Sequence, residues 1–283
     1  MFYYFLLLLL PVVSCVQSIS QKQYNYKVEK PNAIVFSFVT SVIALLFFLI
    51  TSGFQLEFHA SLIPYSVLYG IGYASAWVGT VLAVKYGSMA LSTMITSCLL
   101  IFPVTYGIII GDTITPQIIL GMVFLLASIV LVNLKFSGKS GFSLKWFIAV
   151  MASFIGNGLC STMQNMQKHH LGDTYSHEFM IIALVTASLL LLIYALVTSK
   201  NFLSDMKGCL VYTAANGTAN GVINLLLLTL IGNIPAAVLY PSVSALNLTA
   251  IFLLAFFAYK ERFSYVQYLG YALGTVSIVL LNI

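Results

Sequence analysis

The chain has 283 residues, of which 60% are apolar and 7% charged, with a formal charge of +5. An average soluble domain carries about a quarter charged residues, so this composition excludes a globule clothed for water and makes lipid the solvent for most of the surface. The small positive charge does not point to nucleic acid, because the basic residues fall at the ends of apolar runs.

Crossing the hydrocarbon core takes about 20 apolar residues in a helix. Ten candidate spans are predicted, at 2–20, 33–52, 61–83, 88–110, 115–134, 144–167, 177–198, 208–231, 235–258 and 264–283. A chain in lipid must satisfy its own backbone, which leaves helices or closed barrels. The runs are much longer than the roughly 10-residue alternating strands of a barrel. The predicted fold class is therefore an all-α integral membrane protein of ten transmembrane helices.

The first span has the apolar run Phe5 to Val13 and then Val12-Val13-Ser14-Cys15, which loosely resembles a lipoprotein cleavage site. A signal peptide wants a basic start, and Met1-Phe2-Tyr3-Tyr4 has none. The favoured expectation is a retained helix, kinked or thinned at Pro11. Ser14, Gln17, Ser18 and Gln21 give this span a polar face. In span three Tyr65, Tyr69, Tyr73 and Trp77 stand four apart, which puts them on one helix face. That stripe either stacks a substrate or packs against neighbours. Span four carries Ser92, Thr93, Thr96 and Ser97.

The second half opens on span six, with Asn157, Ser161 and Gln164 on one face. His169, His170, Asp173, His177 and Glu178 crowd what is expected to be a short loop after it, in a spacing that matches no standard metal site. Span eight carries Thr213, Asn216, Asn220 and Asn224, spaced three, four and four, beside Gly217-x-x-x-Gly221, a pair that lets helices approach closely. Span nine has Tyr240, Ser244 and Asn247. Amides in hydrocarbon are costly unless they find a partner or face water. Several such faces together point to a hydrated central cavity. No Asp, Glu, Lys or Arg lies near the middle of a span, so the usual mark of a proton or ion pathway is missing. Cys15, Cys98, Cys160 and Cys209 fall inside spans and read as structural thiols.

Eleven of the twelve Lys and Arg residues belong to the odd-numbered connections between spans, and Lys168 alone to an even one. Cytoplasmic loops carry the basic excess, which places the odd connections inside and both termini outside.

The chain also repeats itself. Asp112 and the run LGMVFLLASIVLVNL are echoed by Glu261 and LGYALGTVSIVLLNI, so that Gly121 falls on Gly270, Ser128 on Ser277 and Asn133 on Asn282. Repeats of this kind fix architecture, and here they divide the chain at 1–136 and 137–283. The run Ala83-Val84-Lys85-Tyr86-Gly87-Ser88-Met89-Ala90, followed by Pro103, Gly111-Asp112 and Gly121, resembles the half-repeat of EamA-type transporters in the drug/metabolite transporter superfamily. Asp112 stands where Glu is usual, while Tyr259-Lys260-Glu261-Arg262 has the familiar acidic-basic turn. The resemblance implies two inverted five-helix repeats around a cavity whose access alternates. Many relatives have a cytoplasmic N-terminus, against the lysine count here.

The resulting expectation is a multi-pass plasma-membrane transporter, not an enzyme, for a small neutral or zwitterionic metabolite. Its expected substrate-binding residues are Gln17, Tyr73, Trp77, Gln164, Asn216 and Asn220, with spans one, three, four, six, eight and nine lining the pocket. No metal or other cofactor is called for. The partners are a small-molecule substrate and the lipid bilayer, with a homodimer left open and nucleic acid not expected. A flippase for a lipid-linked sugar or headgroup, a membrane-embedded enzyme and a non-transporting scaffold are the alternatives.

Overall fold

A computed structural model describes every residue except 1, 87–91, 93, 94, 97, 134–142, 173, 259–263, 282 and 283. The expectations that involve Gly87 to Ala90, Thr93, Ser97, Lys135, Lys139, Asp173, Tyr259 to Arg262 and Asn282, and the division of the halves at 136, lie outside the described residues.

The described residues form helices α1 (Phe2–Lys27), α2 (Ala33–Thr51), α3 (Ile63–Tyr86), α4 (Ile101–Ile109), α5 (Pro116–Asn133), α6 (Leu144–Leu171), α7 (Ser176–Thr198), α8 (Phe202–Leu230), α9 (Ala236–Phe257) and α10 (Tyr265–Leu281). Among the described residues, six helical segments are long and apolar enough to cross a membrane: Phe2–Lys27, Ala33–Thr51, Ala60–Ala83, Leu144–Leu171, Ser176–Thr198 and Ala236–Leu254. Large apolar side chains such as Leu189, Ile193, Leu196 and Val197 of α7 stand exposed. A soluble monomer rarely shows such patches, and the chain is a helical membrane protein.

Two helices run past their apolar stretches. α1 continues through Pro11 and the polar residues Gln21 to Lys27, stopping before Pro31, where a residue preceding proline is pushed away from helical geometry. α8 begins at Phe202 with Asp205 in its first turn, where the helix dipole favours an acid. α8 has 29 residues, yet it is not among the six apolar spans. Its buried Thr213, Asn216 and Asn224 explain the difference.

Helices pack in a reciprocal pattern. α3 lies on α6 and α1 on α8; α2 meets α8 and α3 meets α7; α1 meets α9 and α4 meets α6. α2 also meets α7, α4 meets α9 and α5 meets α10. Replacing each helix by the one five places along turns these pairings into one another; α9 against α10 stands outside the pattern, with no contact of like extent between α4 and α5 among the described residues. At the α5–α10 seam the Ser128 hydroxyl donates to Gly270 O at 2.5 Å and the Ser277 hydroxyl to Gly121 O at 2.9 Å. These are the residues that the sequence repeat superposes.

Small residues set the tightest contacts. A Cβ on Gly217 would lie 2.6 Å from Ile43 Cβ, and Gly221 is closed off by Phe47, so the Gly217-x-x-x-Gly221 pair faces α2. Between α3 and α6, a Cβ on Gly79 would lie 2.6 Å from Ser153 N, and one on Gly156 2.5 Å from Gly72 O.

The connections gather at two ends. At one, Asn32 Nδ2 and the Ser199 hydroxyl both donate to Asp205 Oδ2, at 2.8 and 2.7 Å, tying the α1–α2 and α7–α8 connections together. At the other, Asp112 Oδ2 accepts the Ala236 N–H at 2.7 Å, which caps α9, and Glu178 Oε1 accepts the Glu57 N–H at 3.1 Å. Asp205→Ala is expected to cost about 1–3 kcal/mol by stranding two donors, read as a lower melting temperature of the detergent-purified protein.

Candidate functional site

A cavity of about 310 Å³ lies among α1, α3, α6 and α8. Gln17, Ser18 and Gln21 of α1, Tyr69, Tyr73 and Trp77 of α3, Asn157 and Cys160 of α6, and Asn216, Asn220 and Asn224 of α8 line it, with Ala76 and Ile223. Helical spacing explains the assembly. Tyr69, Tyr73 and Trp77 are four apart, as are Asn216, Asn220 and Asn224, so each helix turns one unbroken polar or aromatic edge inward. Six carboxamides face the space, and among the described residues that line it none carries a charge.

Five of the six expected binding residues stand in this wall: Gln17, Tyr73, Trp77, Asn216 and Asn220. Asn216 is 2% exposed; its Nδ2 donates to Gln17 O at 3.1 Å, and its Oδ1 is buried with no hydrogen-bond partner. The Tyr73 hydroxyl is also buried and unpartnered, with the Trp77 ring beside it at 6.3 Å between centroids. Such atoms are rare in folded proteins and call for an explanation. Asn220 is half-buried, and its Oδ1 accepts from Asn224 Nδ2 at 3.2 Å.

The sixth, Gln164, stands behind the wall. Its Nε2 donates to Asn224 Oδ1 at 3.0 Å, and the Tyr69 hydroxyl donates to the same oxygen at 2.9 Å. On the next residue of α6, Asn165 Nδ2 donates to the Tyr240 hydroxyl at 2.5 Å, which donates in turn to Ser161 O at 3.2 Å. Tyr69, Gln164, Asn165, Asn224 and Tyr240 are all buried. They form a polar layer joining α3, α6, α8 and α9.

Beyond that layer is a second cavity of about 510 Å³, lined by Asp112, Asn165, Lys168 and His169 with the 231–236 segment. It lies at the end where Asp112 caps α9. Asn165 belongs to its wall, and Tyr69 and Asn224 belong to the wall of the first.

Other expectations fall differently. None of the lining residues of the first cavity comes from α4 or α9. Tyr240 joins the polar layer, Ser92 accepts from the Trp146 indole N–H at 2.9 Å, and Asn247 Oδ1 is buried without a partner elsewhere. His169 and His170 occupy the last turn of α6, and His177 and Glu178 the first turn of α7, rather than a loop. Among the described residues no three His, Cys, Asp or Glu side chains gather as metal ligands would. Sequence reasoning missed Cys160, whose thiol stands in the cavity wall with its sulfur 3.5 Å from Tyr69 O. Its signal was its position: Cys160 follows Asn157 by three residues and precedes Gln164 by four.

No family model matches the chain, and no curated protein does. Among solved structures, one described only as the crystal structure of a protein is similar over 99% of this chain and 98% of that one, with a TM-score of 0.79 at 14% identity. At that identity the likeness speaks for the fold alone. In all, 29 solved chains match.

Proposed function

We propose that the chain is a multi-pass transporter, built as two inverted five-helix repeats, that moves a small uncharged or zwitterionic organic molecule by alternating access. The observation that carries this reading is the amide-lined, uncharged cavity in which Asn216 Oδ1 and the Tyr73 hydroxyl are buried without partners. A substrate would supply them: an N–H or O–H for Asn216 Oδ1, and either half of a hydrogen bond for Tyr73. Trp77 would stack an apolar or planar part, and Gln17 and Asn220 would take further polar groups. Gln164 would act through Asn224 as a positioning residue.

The reciprocal helix pairings and the paired Ser128–Gly270 and Ser277–Gly121 bonds support the inverted repeat. Repeats so arranged place their site at the interface between halves, and rocking of one bundle on the other then switches access. Gln21 and Trp77 carry the first cavity toward the end that holds the α1–α2 and α7–α8 connections. The polar layer closes it on the opposite side. In this reading the structure is open to the lysine-rich end, which is the cytoplasmic one, and the second cavity is the vestibule across the membrane. The resemblance to EamA-type transporters agrees with the inverted repeat and the alternating access but not with an external N-terminus, for which the lysine count is followed; the plasma membrane is the setting it implies.

The test begins with a thermal-shift screen of the detergent-purified protein against a metabolite panel, since a ligand of the native state raises apparent stability. Uptake of the hit into proteoliposomes follows. Asn216→Leu is expected to weaken binding about 10- to 100-fold, the worth of one buried hydrogen bond of about 1–3 kcal/mol. Unchanged saturable uptake in both Asn216→Leu and Gln164→Leu, at normal expression, removes the proposed site.

A further inference from the structure

A second site lies apart from the transport cavity and does not depend on how that cavity is read. The α2–α3 connection folds over the start of α7, where Glu178 is 5% exposed in the first helical turn. Its Oε1 accepts one backbone N–H, from Glu57 at 3.1 Å. Its Oε2 is buried and meets no donor. A carboxylate oxygen withheld from water without a partner is costly, and proteins meet that cost by pairing the charge or placing a metal ion against it. The adjacent imidazoles are turned to other neighbours. His177 stands edge-on to Phe48 at 5.9 Å, and His59 Nδ1 pairs with the Ser61 hydroxyl at 2.6 Å.

Glu178 lines a cavity of about 540 Å³ whose other walls are Gln55, Leu56, Glu57, Thr174 and Tyr175. The polar side chains are two carboxylates, one carboxamide, one hydroxyl and one phenol. They offer oxygen, with no thiol or imidazole among the described residues of the wall. Structural zinc sites are closed sets of four Cys and His ligands, which this wall does not provide. Magnesium demands a tight octahedron, while calcium accepts six to eight oxygens in irregular geometry, with carboxylates, carbonyls and water all serving. A roomy wall with two carboxylates on separate segments suits the larger ion.

We propose that Glu178 and Glu57 bind a calcium-type divalent cation in this cavity, pinning the α2–α3 connection to the start of α7. Glu178 is the buried anchor and brings its unpartnered Oε2. Glu57 is exposed and closes over the ion from the connection. Gln55 and Thr174 line the same cavity and offer further oxygens.

The experiment uses the full chain, purified in detergent and stripped with a chelator. Calcium is expected to raise the melting temperature by several degrees, with half the effect at about 10⁻⁴–10⁻³ M, the range of surface-module calcium sites. Magnesium is expected to need at least tenfold more. Terbium, a calcium surrogate, is expected to luminesce on tyrosine excitation, and Tyr175→Phe to dim that signal while the calcium shift persists. Glu178→Gln keeps an acceptor for the Glu57 N–H and is expected to abolish both responses. Glu57→Gln, at an exposed position, leaves the fold intact and is expected to raise the required calcium about tenfold. A wild-type protein with neither a calcium shift nor sensitised terbium emission overturns the proposal. So do equal responses to calcium, magnesium and sodium, which indicate charge screening only, or a full wild-type response in both glutamate variants.

Discussion

Asn224→Leu is expected to open the first cavity toward the second and to lower stability together. Asn224 Oδ1 is the common acceptor for the Tyr69 hydroxyl and Gln164 Nε2, and its own Nδ2 donates to Asn220 O at 2.9 Å. Leucine has nearly the same shape and no acceptor. Two buried donors are then stranded, at roughly 1–3 kcal/mol each, for a loss of about 2–6 kcal/mol. The layer that joins α3, α6 and α8 loses its centre, and water is drawn to the freed groups. Cys160 reports the result, because its thiol stands in the wall of the first cavity. With Cys15, Cys98 and Cys209 replaced by Ala, a membrane-impermeant maleimide is expected to label Cys160 from the lysine-rich end only. In Asn224→Leu, labelling from the opposite end is expected as well. Labelling confined to one end in both proteins, with an unchanged melting temperature, would show that this layer does not close the path.

The faces of the helices were legible before any coordinates, and their partners were not. Four-residue spacing put Asn216, Asn220 and Asn224 together, and likewise Tyr69, Tyr73 and Trp77, because a helix repeats near that period whatever surrounds it. Polarity marked Gln164 equally well. Whether its amide met the cavity or another side chain depended on α8, more than fifty residues along the chain, and nothing local encodes that choice. Cys160 was hidden for a related reason: a thiol reads as a small apolar group, and only the neighbouring helix decides whether it packs or lines. Polar composition made a loop the natural reading for His177 and Glu178, yet acids and hydroxyls are also what the first turn of a helix favours. The ends of α1 and α8 were misjudged because helices stop at caps and prolines, while spans were drawn where polarity begins. The repeat was legible at the α5–α10 seam, since Gly121, Ser128, Gly270 and Ser277 are kept in register in both copies.

A loss of comparable size is expected from Gly156→Leu. A Cβ there would sit against the Ser75 hydroxyl, 2.5 Å from Gly72 O and 2.8 Å from Ala76 N. Two of these atoms are backbone of α3, so no rotamer change can make room and the helices must separate. Overpacking of this kind costs about 1–3 kcal/mol and occasionally more; a full leucine against backbone belongs at the upper end, about 3 kcal/mol. With total stability of about 5–15 kcal/mol, that is a large share. The melting temperature is expected to fall by about 6–12 °C, taking about 2–4 °C per kcal/mol for a chain of this size. The consequence reaches the cavity, because Asn157 and Cys160 lie on α6 within about one turn of Gly156. Gly208, which lies inside α8 with nothing within 4 Å of an added Cβ, is the control, and Gly208→Ala is expected to melt at or slightly above the wild type.

The uneven polarity of α8 bears on how the protein is made. A segment with several inward amides gains little from entering hydrocarbon by itself, and a translocating machine that partitions segments one at a time would hold it poorly. Its two principal neighbours, α1 and α2, are synthesised first and are already in the bilayer when it emerges. Biogenesis of the second bundle therefore draws on the first as a ready-made polar lining.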